Sequence, residues 1–310
     1  MFMKGAVRII TILQLCLALF HVQAVAEDEV TRFEFENYGQ VLEFFETLGY
    51  TPEAWQAGIR DVNRVYLQKV PARWRSSVSK DIEVQLKKRL FLRAMAPLVL
   101  RANELIMEER ARLRASLEQG RSGAAFDSPW LRETAIKYRV TEGPDQPVDE
   151  AGLEELLKRI DIVPPSLALA QAIEESGWGT SRFAQEGNAL FGMWAWGEDA
   201  MKPQQQRSGK GDYGIARWDS PQQSVDGYML NINRHPAYAA FRTERARIRA
   251  DGHSPTGSEL VGTLTHYSER GQAYVDGLNG LMNYNKLHDV DDAQLTGPVI
   301  HLVPIEATAQ

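Results

Sequence analysis

The chain has 310 residues, of which 44% are hydrophobic and 25% are charged, a composition that excludes a disordered or collagen-like protein. Its formal net charge of -6 gives no basic excess of the kind that indicates nucleic-acid binding. Because the sequence holds a single cysteine, an internal disulfide framework and a multi-cysteine metal site are excluded as well.

The first residues have the pattern of an export signal. Lys4 and Arg8 form a basic start, residues 9–20 are mostly apolar, and residues 24–26 (Ala-Val-Ala) provide a small-x-small cleavage pattern. An apolar stretch of about a dozen residues is typical of a signal peptide and is short for a membrane-spanning helix. We therefore expect residues 1–26 to be a signal peptide and the protein to be periplasmic or secreted. The alternative is an uncleaved N-terminal anchor.

The sequence from about Phe33 to Gln119 is predicted to be strongly helical. Thr51-Pro52-Glu53 is a helix start, with a hydroxyl cap, a proline at the first helical position and an acid at the positive end of the helix dipole. Apolar residues recur at near-helical spacing from Asp81 to Leu117, and Pro97 is expected to kink or break that run. The small, polar stretch from Glu118 to Asp127 indicates a linker.

A second block of helices follows the linker. Pro164-Pro165 starts a helix that runs from Ser166 to about Trp178. Its Leu, Ile and Ala side chains surround most of the helix, which predicts a buried central helix. Farther on, Trp194-Ala195-Trp196 and residues 213–218 are predicted to pair as a small β-hairpin.

Two adjacent carboxylates, Glu174 and Glu175, lie near the end of that buried helix and directly before Ser176-Gly177-Trp178-Gly179. The glycines allow a tight exit that leaves Glu175 at the junction of helix and loop. Burial raises the pKa of a carboxyl group, so a glutamate there can act as a general acid near neutral pH. Several aromatic residues on which sugars can stack follow it: Phe191, Trp194, Trp196, Trp218, Tyr267 and Tyr274. One acid beside a lobe of aromatic residues is typical of a glycosidase active site. The alternative is that the two glutamates only form salt bridges at the end of the helix.

At these residues the sequence resembles the bacterial peptidoglycan endo-β-N-acetylglucosaminidase family (glycoside hydrolase family 73), and more closely its Bax-like branch. The family pattern is an acid directly before Ser-x-Trp-Gly, then Asn-x-Leu-Phe-Gly, and residues 175–179 and 188–192 match it. Residues 224–239 and 267–278 are further similar segments. The resemblance extends over residues 128–287.

The resemblance implies a mainly α fold: a lysozyme-like helical catalytic domain with a small β-hairpin lobe, preceded by a helical N-terminal region. It implies hydrolysis of the β-1,4 bond after N-acetylglucosamine in peptidoglycan. Glu175 matches the family's catalytic acid and Tyr274 matches the tyrosine that lines the catalytic subsite. Glu174 receives no family role, and we expect it at the surface or in a salt bridge.

We expect the glycan strand of peptidoglycan to be the binding partner. The predicted substrate-binding residues are Asn188, Phe191, Trp194, Trp196 and Tyr267. Many family members have a second carboxylate in the β-lobe, for which Glu198, Asp199 and Asp212 are the candidates here, and a substrate-assisted route is the alternative. No cofactor, metal or nucleic acid is expected, and membrane association is expected only through an uncleaved signal.

The sequence thus predicts four segments: a signal peptide at 1–26, a helical N-terminal region at 27–127, a lysozyme-like glucosaminidase domain at 128–290 and a tail at 291–310. Two other functions stay open. One is a lytic transglycosylase, which uses one buried glutamate on the same scaffold and leaves an anhydro-muramic end. The other is a non-catalytic glycan-binding envelope protein, which keeps the aromatic residues without needing an ionisable Glu175.

Overall fold

The structure, a computed structural model, describes residues 31–121, 128–206, 209 and 211–305. The predicted signal peptide and residues 122–127 of the predicted linker lie outside these ranges, so both assignments stay predictions there. Residues 118–121, which we expected in the linker, belong instead to a long helix that ends at Arg121. Within the described ranges, no helix is long and apolar enough to cross a membrane.

The described N-terminal part, from residue 31 onward, starts with a strand and ends in one long helix. Thr51 caps the second helix as predicted, because its hydroxyl oxygen accepts a hydrogen bond from the backbone N–H of Ala54 at 3.2 Å. The elements in chain order are β1 (Thr31–Phe35), α1 (Tyr38–Thr47), α2 (Pro52–Gln56), β2 (Asp61–Leu67), a π-helical turn (Trp74–Val78), α3 (Ser79–Asp81) and α4 (Val84–Arg121).

Strand β5 (Gln294–Pro304) lies between β1 and β2 in a parallel three-stranded sheet. Two expectations are therefore wrong. The helical prediction fails at β1 and β2, and the predicted tail at 291–310 contains the central strand of this sheet. Both errors have the same origin, since a parallel strand needs partners that are distant in the sequence and local patterns do not reveal such partners.

The sheet and helix α1 share a hydrophobic core that joins the first and last of the described segments. Ile300 and Leu302 of β5 are buried with Val62 and Val65 of β2 and with Phe45 of α1. Burial of such side chains contributes roughly 1.5–3 kcal/mol each, which explains why β5 is held in the centre of the sheet.

Helix α4 runs through Pro97 without interruption, so the predicted break is absent. Proline lacks the N–H that an α-helix needs at an interior position, and its ring crowds the carbonyl four residues earlier. Leu98 and Val99 directly after it are completely buried in the main core. This burial favours a continuous helix over a break at the proline.

The mainly α class with a small hairpin lobe is confirmed in the rest of the chain. Strand β3 (Trp194–Ala195) pairs antiparallel with β4 (Gly214–Ile215), as predicted. The helices are α5 (Pro129–Lys137), α6 (Glu150–Arg159), α7 (Pro165–Ser176), α8 (Arg182–Gly187), α9 (Pro221–Arg234), α10 (Ala239–Ala250), α11 (Gly257–Leu260) and α12 (Gln272–Tyr284). Helix α7 is the buried central helix that its composition predicts, with all residues from Pro165 to Ile173 buried.

Candidate active site

The end of α7 is fixed by a compact turn directly after Glu175. Ser176 donates from its hydroxyl to the carbonyl of Ala172 at 2.6 Å and accepts from the N–H of Gly179 at 2.8 Å. Gly177 and Trp178 both adopt left-handed backbone conformations, with φ of 57° and 62°. The helix therefore stops abruptly, and Glu175 stands at the junction of helix and loop, as predicted.

Glu175 is paired with Tyr274, the other predicted catalytic residue. The hydroxyl of Tyr274 donates a hydrogen bond of 2.9 Å to Oε1 of Glu175. Burial raises the pKa of the Glu175 carboxyl above its ordinary value, and the neighbouring charge of Glu174 raises it further. The Tyr274 hydrogen bond and the charge of Arg270 act in the opposite direction without cancelling the rise. A carboxyl group in this state holds its proton to higher pH than a solvated glutamate does.

A chain of buried hydrogen bonds leads from α9 to Glu175. Tyr228 donates to Oε1 of Gln171 at 2.5 Å, and Nε2 of Gln171 donates to the hydroxyl oxygen of Tyr274 at 3.1 Å. Because the Tyr274 oxygen accepts from Gln171, its own proton is directed at Glu175. Gln171 and Tyr228 therefore orient the Tyr274 hydroxyl.

Tyrosine rings form one wall beside this pair. Tyr267 stacks on Tyr274, with ring centroids 5.3 Å apart and planes 7° apart. Tyr238 lies against Tyr267 at 5.7 Å, and burial together with the nearby Glu175 charge raises the pKa of Tyr238. Tyr267 thus lies at the site, as its predicted role requires.

Glu174 and Glu175 have separate surroundings although they are adjacent in the sequence. Oε1 of Glu174 lies 2.5 Å from a guanidinium nitrogen of Arg270, so Glu174 forms the salt bridge that we expected. Glu175 has the tyrosine partner and the raised pKa, which makes it the member of the pair suited to donate a proton.

The loop before the hairpin approaches the Glu175 carboxyl closely. A Cβ atom built on Gly192 would lie 3.3 Å from Oε2 of Glu175, and Gly192 has a φ of 56°. Both facts favour glycine at this position, because a side chain would crowd the carboxyl and would strain the backbone.

Two of the predicted substrate-binding residues have structural roles instead. The Asn188 side chain is 6% exposed, and it accepts from the N–H of Val70 at 3.0 Å and donates to the carbonyl of Trp218 at 3.0 Å. Phe191 is 2% exposed and stacks on Tyr228 with ring centroids 3.9 Å apart. We correct both assignments: these side chains support the loops around Glu175 and do not offer a surface to a sugar.

The two predicted tryptophans, by contrast, lie on the hairpin lobe with large exposed areas. Trp194 is 41% exposed and stacks on Tyr213 at 4.7 Å, and Trp196 is 67% exposed. Their rings meet edge to face at 6.4 Å. Exposed aromatic rings on a small lobe are suited to stack on an apolar face of a sugar.

None of the three candidates for a second carboxylate has a described contact with Glu175. Glu198 and Asp199 are exposed, and the exposed Asp212 forms an ion pair with Lys202 at 2.8 Å. Within the described ranges there is also no group of three His, Cys, Asp or Glu residues that is arranged to hold a metal ion.

The sequence interpretation assigned no individual role to Gln171, Tyr228, Tyr238 or Gly192, although Gly192 belongs to the matched motif at 188–192. Gln171 carried a usable signal, because a polar amide in the middle of an otherwise apolar buried helix must have hydrogen-bond partners. Tyr228 carries no such signal, because nothing local in the sequence indicates that its hydroxyl reaches α7.

Comparison with known proteins gives three matches. Residues 151–287 match the Glucosaminidase family, described as mannosyl-glycoprotein endo-β-N-acetylglucosaminidase. Protein bax of Escherichia coli (strain K12) is 33% identical over 188 residues, which are 61% of this chain and 66% of that protein, just under two thirds of its length. Among solved structures, the catalytic domain of the autolysin Auto from Listeria monocytogenes is similar at 17% identity with a TM-score of 0.31, covering 57% of this chain and 96% of that domain.

Proposed function

We propose that this chain is a peptidoglycan hydrolase that cleaves the β-1,4 bond after N-acetylglucosamine, since its residues 151–287 match the glucosaminidase family. The observation that carries the proposal is the Glu175–Tyr274 pair: a half-buried carboxyl group with a raised pKa at a helix end, bonded to an oriented hydroxyl. Hydrolysis of a glycosidic bond requires a general acid, and a carboxyl group in such surroundings is suited to that role.

In the proposed reaction, Glu175 donates its proton to the glycosidic oxygen as the bond between that oxygen and C1 breaks. The leaving sugar departs with a neutral hydroxyl group, and Glu175 becomes a carboxylate. Tyr274 then stabilises the carboxylate through the hydrogen bond that it already makes. A water molecule supplies the hydroxyl group at C1, and its remaining proton returns Glu175 to the acid form.

For the opposite face of the sugar we propose the substrate-assisted route. The acetamido oxygen of N-acetylglucosamine attacks C1, and water later opens the ring that forms. Support for this route comes from the surroundings of Glu175, since Glu198, Asp199 and Asp212 are all exposed and none has a described contact with it. Under this proposal the substrate supplies the nucleophile that many family members take from a second carboxylate.

We propose that the glycan strand stacks on Trp194 and Trp196 and passes the partly buried ring of Tyr267. The support is their position: the tryptophans are exposed on the hairpin, and the hairpin begins two residues after Gly192, which approaches the Glu175 carboxyl.

The export pattern at residues 1–26 agrees with a cell-wall substrate, and N-terminal sequencing of the mature protein will test it. A mature start near Glu27 is expected, and a start at Met1 on a membrane-bound species would overturn cleavage.

The test is product analysis after digestion of purified sacculi. Mass spectrometry is expected to find new reducing N-acetylglucosamine ends. The family description names mannosyl-glycoproteins, so a high-mannose glycoprotein incubated in parallel tests the substrate class. Release of glycans from the glycoprotein without any attack on sacculi would overturn the peptidoglycan assignment.

A lytic transglycosylase is the second candidate, and one observation favours it: Glu175 has no described carboxylate partner apart from its neighbour Glu174, and a transglycosylase also needs only one acid. The same digest separates the two reactions. Anhydro-muramyl ends in place of reducing N-acetylglucosamine ends would reject the hydrolase in favour of the transglycosylase.

A further inference from the structure

The turn that follows Glu175 is held from outside the region that matches the family. The indole N–H of Trp74 donates to the carbonyl of Trp178 at 2.8 Å. The ring of Phe91 meets the ring of Trp178 edge to face, with centroids 5.6 Å apart. Trp74 and Phe91 both precede residue 151, where the family match begins. The N-terminal region therefore contacts the Ser-x-Trp-Gly motif itself.

The second family motif is held by the same short segment. The backbone N–H of Val70 donates to Oδ1 of Asn188 at 3.0 Å. Asn188 begins the loop that brings Gly192 against the Glu175 carboxyl. Val70 and Trp74 thus bind the loops on both sides of Glu175, one through a backbone donor and one through a side-chain donor.

The fit between the two regions leaves little space. A Cβ atom on Gly179 would lie 3.3 Å from the indole nitrogen of Trp74 and 3.4 Å from the ring of Phe91. The ammonium group of Lys88 lies 5.2 Å from the centre of the Trp178 ring. Three side chains of the N-terminal region, those of Trp74, Lys88 and Phe91, therefore contact the turn that follows α7.

We propose that Val70–Trp74 is a positioning clamp, which holds the turn at 177–179 and the loop at 188–192 so that Glu175 is fixed against its substrate. The inference rests on the proposed role of Glu175 and gives the N-terminal region a function in the same site. Trp74 is a positioning residue, because it acts on the carboxyl group through Trp178 and the end of α7.

The physical reason lies in the accuracy that catalysis requires. A displacement of about 1 Å at a reacting group can reduce a rate roughly a hundredfold. Without the Trp74 hydrogen bond, the carbonyl of Trp178 loses its indole partner. The turn keeps its internal hydrogen bonds but loses a bond that joins it to the N-terminal region, so it becomes more mobile. Movement there displaces the last residues of α7 and admits water to the Glu175 carboxyl.

The test compares Trp74→Phe with Trp55→Phe. Trp74→Phe keeps an aromatic ring and removes the N–H that binds Trp178. Trp55 lies in α2, packs against the same N-terminal core and has no described contact with residues 177–179, so its variant controls for a general loss of packing. Each variant is assayed for kcat, KM and melting temperature, and the titration of the Glu175 side-chain carboxyl is followed by 13C NMR, which needs no substrate.

We expect Trp74→Phe to lower kcat about tenfold or more with KM within about twofold, and to move the Glu175 titration to lower pH as the carboxyl becomes hydrated. Trp55→Phe is expected to keep both properties.

The proposal is overturned if Trp74→Phe lowers only the melting temperature, or if both variants change kcat and the titration equally. If Trp74→Phe does not fold, Phe91→Leu replaces it, because this variant removes the ring contact with Trp178. The same measurements of kcat, KM, melting temperature and Glu175 titration then test the proposal. Failure of the wild-type protein to cleave sacculi would reject the proposed function and leave the titration comparison valid.

Discussion

The hydroxyl of Tyr274 lies 2.9 Å from Oε1 of Glu175 and donates a hydrogen bond to it, although the two residues are 99 positions apart in the sequence. The side-chain amide of Gln171 donates a hydrogen bond of 3.1 Å to the same hydroxyl oxygen. The hydrogen bond favours the ionised form of Glu175 and so limits how far burial raises its pKa. Burial and the Tyr274 hydrogen bond, the two largest influences on the pKa of Glu175, therefore oppose each other, and mutation of Tyr274 can separate them.

Replacement of Tyr274 by Phe is expected to reduce kcat/KM about tenfold, the effect of losing one hydrogen bond to a charged group. Because the lost bond stabilised the carboxylate, the pKa of Glu175 rises further, and the alkaline limb of the pH profile moves to higher pH. Tyr138→Phe is the matched control, since that buried tyrosine donates to Glu109 at 2.6 Å, remote from the site. If the alkaline limb of the pH profile has the same midpoint in Tyr274→Phe as in the wild type, this account of the Glu175–Tyr274 pair is contradicted.

Replacement of Glu175 by Gln is expected to stabilise the folded protein at neutral pH. The pKa of Glu175 is higher in the folded chain than the ordinary value that applies after unfolding. Between these two values the folded state binds more protons, so stability falls as pH rises through that window and the loss is complete above it. Gln carries no such penalty. Melting curves from pH 3 to pH 8 should therefore diverge above about pH 4.3, the usual pKa of an unfolded glutamate, and coincide below it.

Replacement of Gly192 by Ala is expected to lower kcat at least tenfold, because the new methyl group contacts Oε2 of Glu175. Gly211→Ala is the matched control: Gly211 also has a left-handed backbone, with a φ of 71°, and nothing lies within 4 Å of its added Cβ. Both variants lose about 1–2 kcal/mol of stability from backbone strain. Equal activity of the two variants would show that the approach of Gly192 to Glu175 has no catalytic consequence.

Replacement of Trp196 by Ala is expected to raise KM roughly fivefold and to leave kcat nearly unchanged. The indole is 67% exposed, so its removal costs little stability, whereas a sugar that stacks on it loses roughly 0.5–1.5 kcal/mol of binding. Tyr38→Ala removes another exposed ring from helix α1 and serves as the control. Unchanged KM in Trp196→Ala on polymeric glycan would exclude the hairpin as a binding surface.

The central helix and the hairpin were predictable because each depends on local sequence. The apolar run after Pro165 and the Gly177 exit define α7 and the position of Glu175, and the aromatic segments define the strands that pair Trp194 with Ile215. The salt bridge of Glu174 was also expected. These features follow from residues close to one another in the chain.

The errors concern contacts between distant segments. Strand β5 depends on partners near the opposite end of the chain, and Asn188 was assigned to sugar binding because its partners Val70 and Trp218 could not be inferred. The Gln171 amide was overlooked for a related reason. A buried polar side chain requires partners, and the sequence alone does not identify them.

The most direct test of the central claim is the turnover of sacculi by Glu175→Gln measured beside Glu174→Gln. The two variants make the same chemical change at adjacent positions, and circular dichroism will verify that both are folded. The account predicts that Glu175→Gln lowers kcat about a hundredfold or more, the usual scale of general-acid catalysis, while Glu174→Gln stays within about threefold of the wild type. Retained turnover in Glu175→Gln, or its loss in Glu174→Gln alone, would contradict the assignment of Glu175 as the catalytic acid.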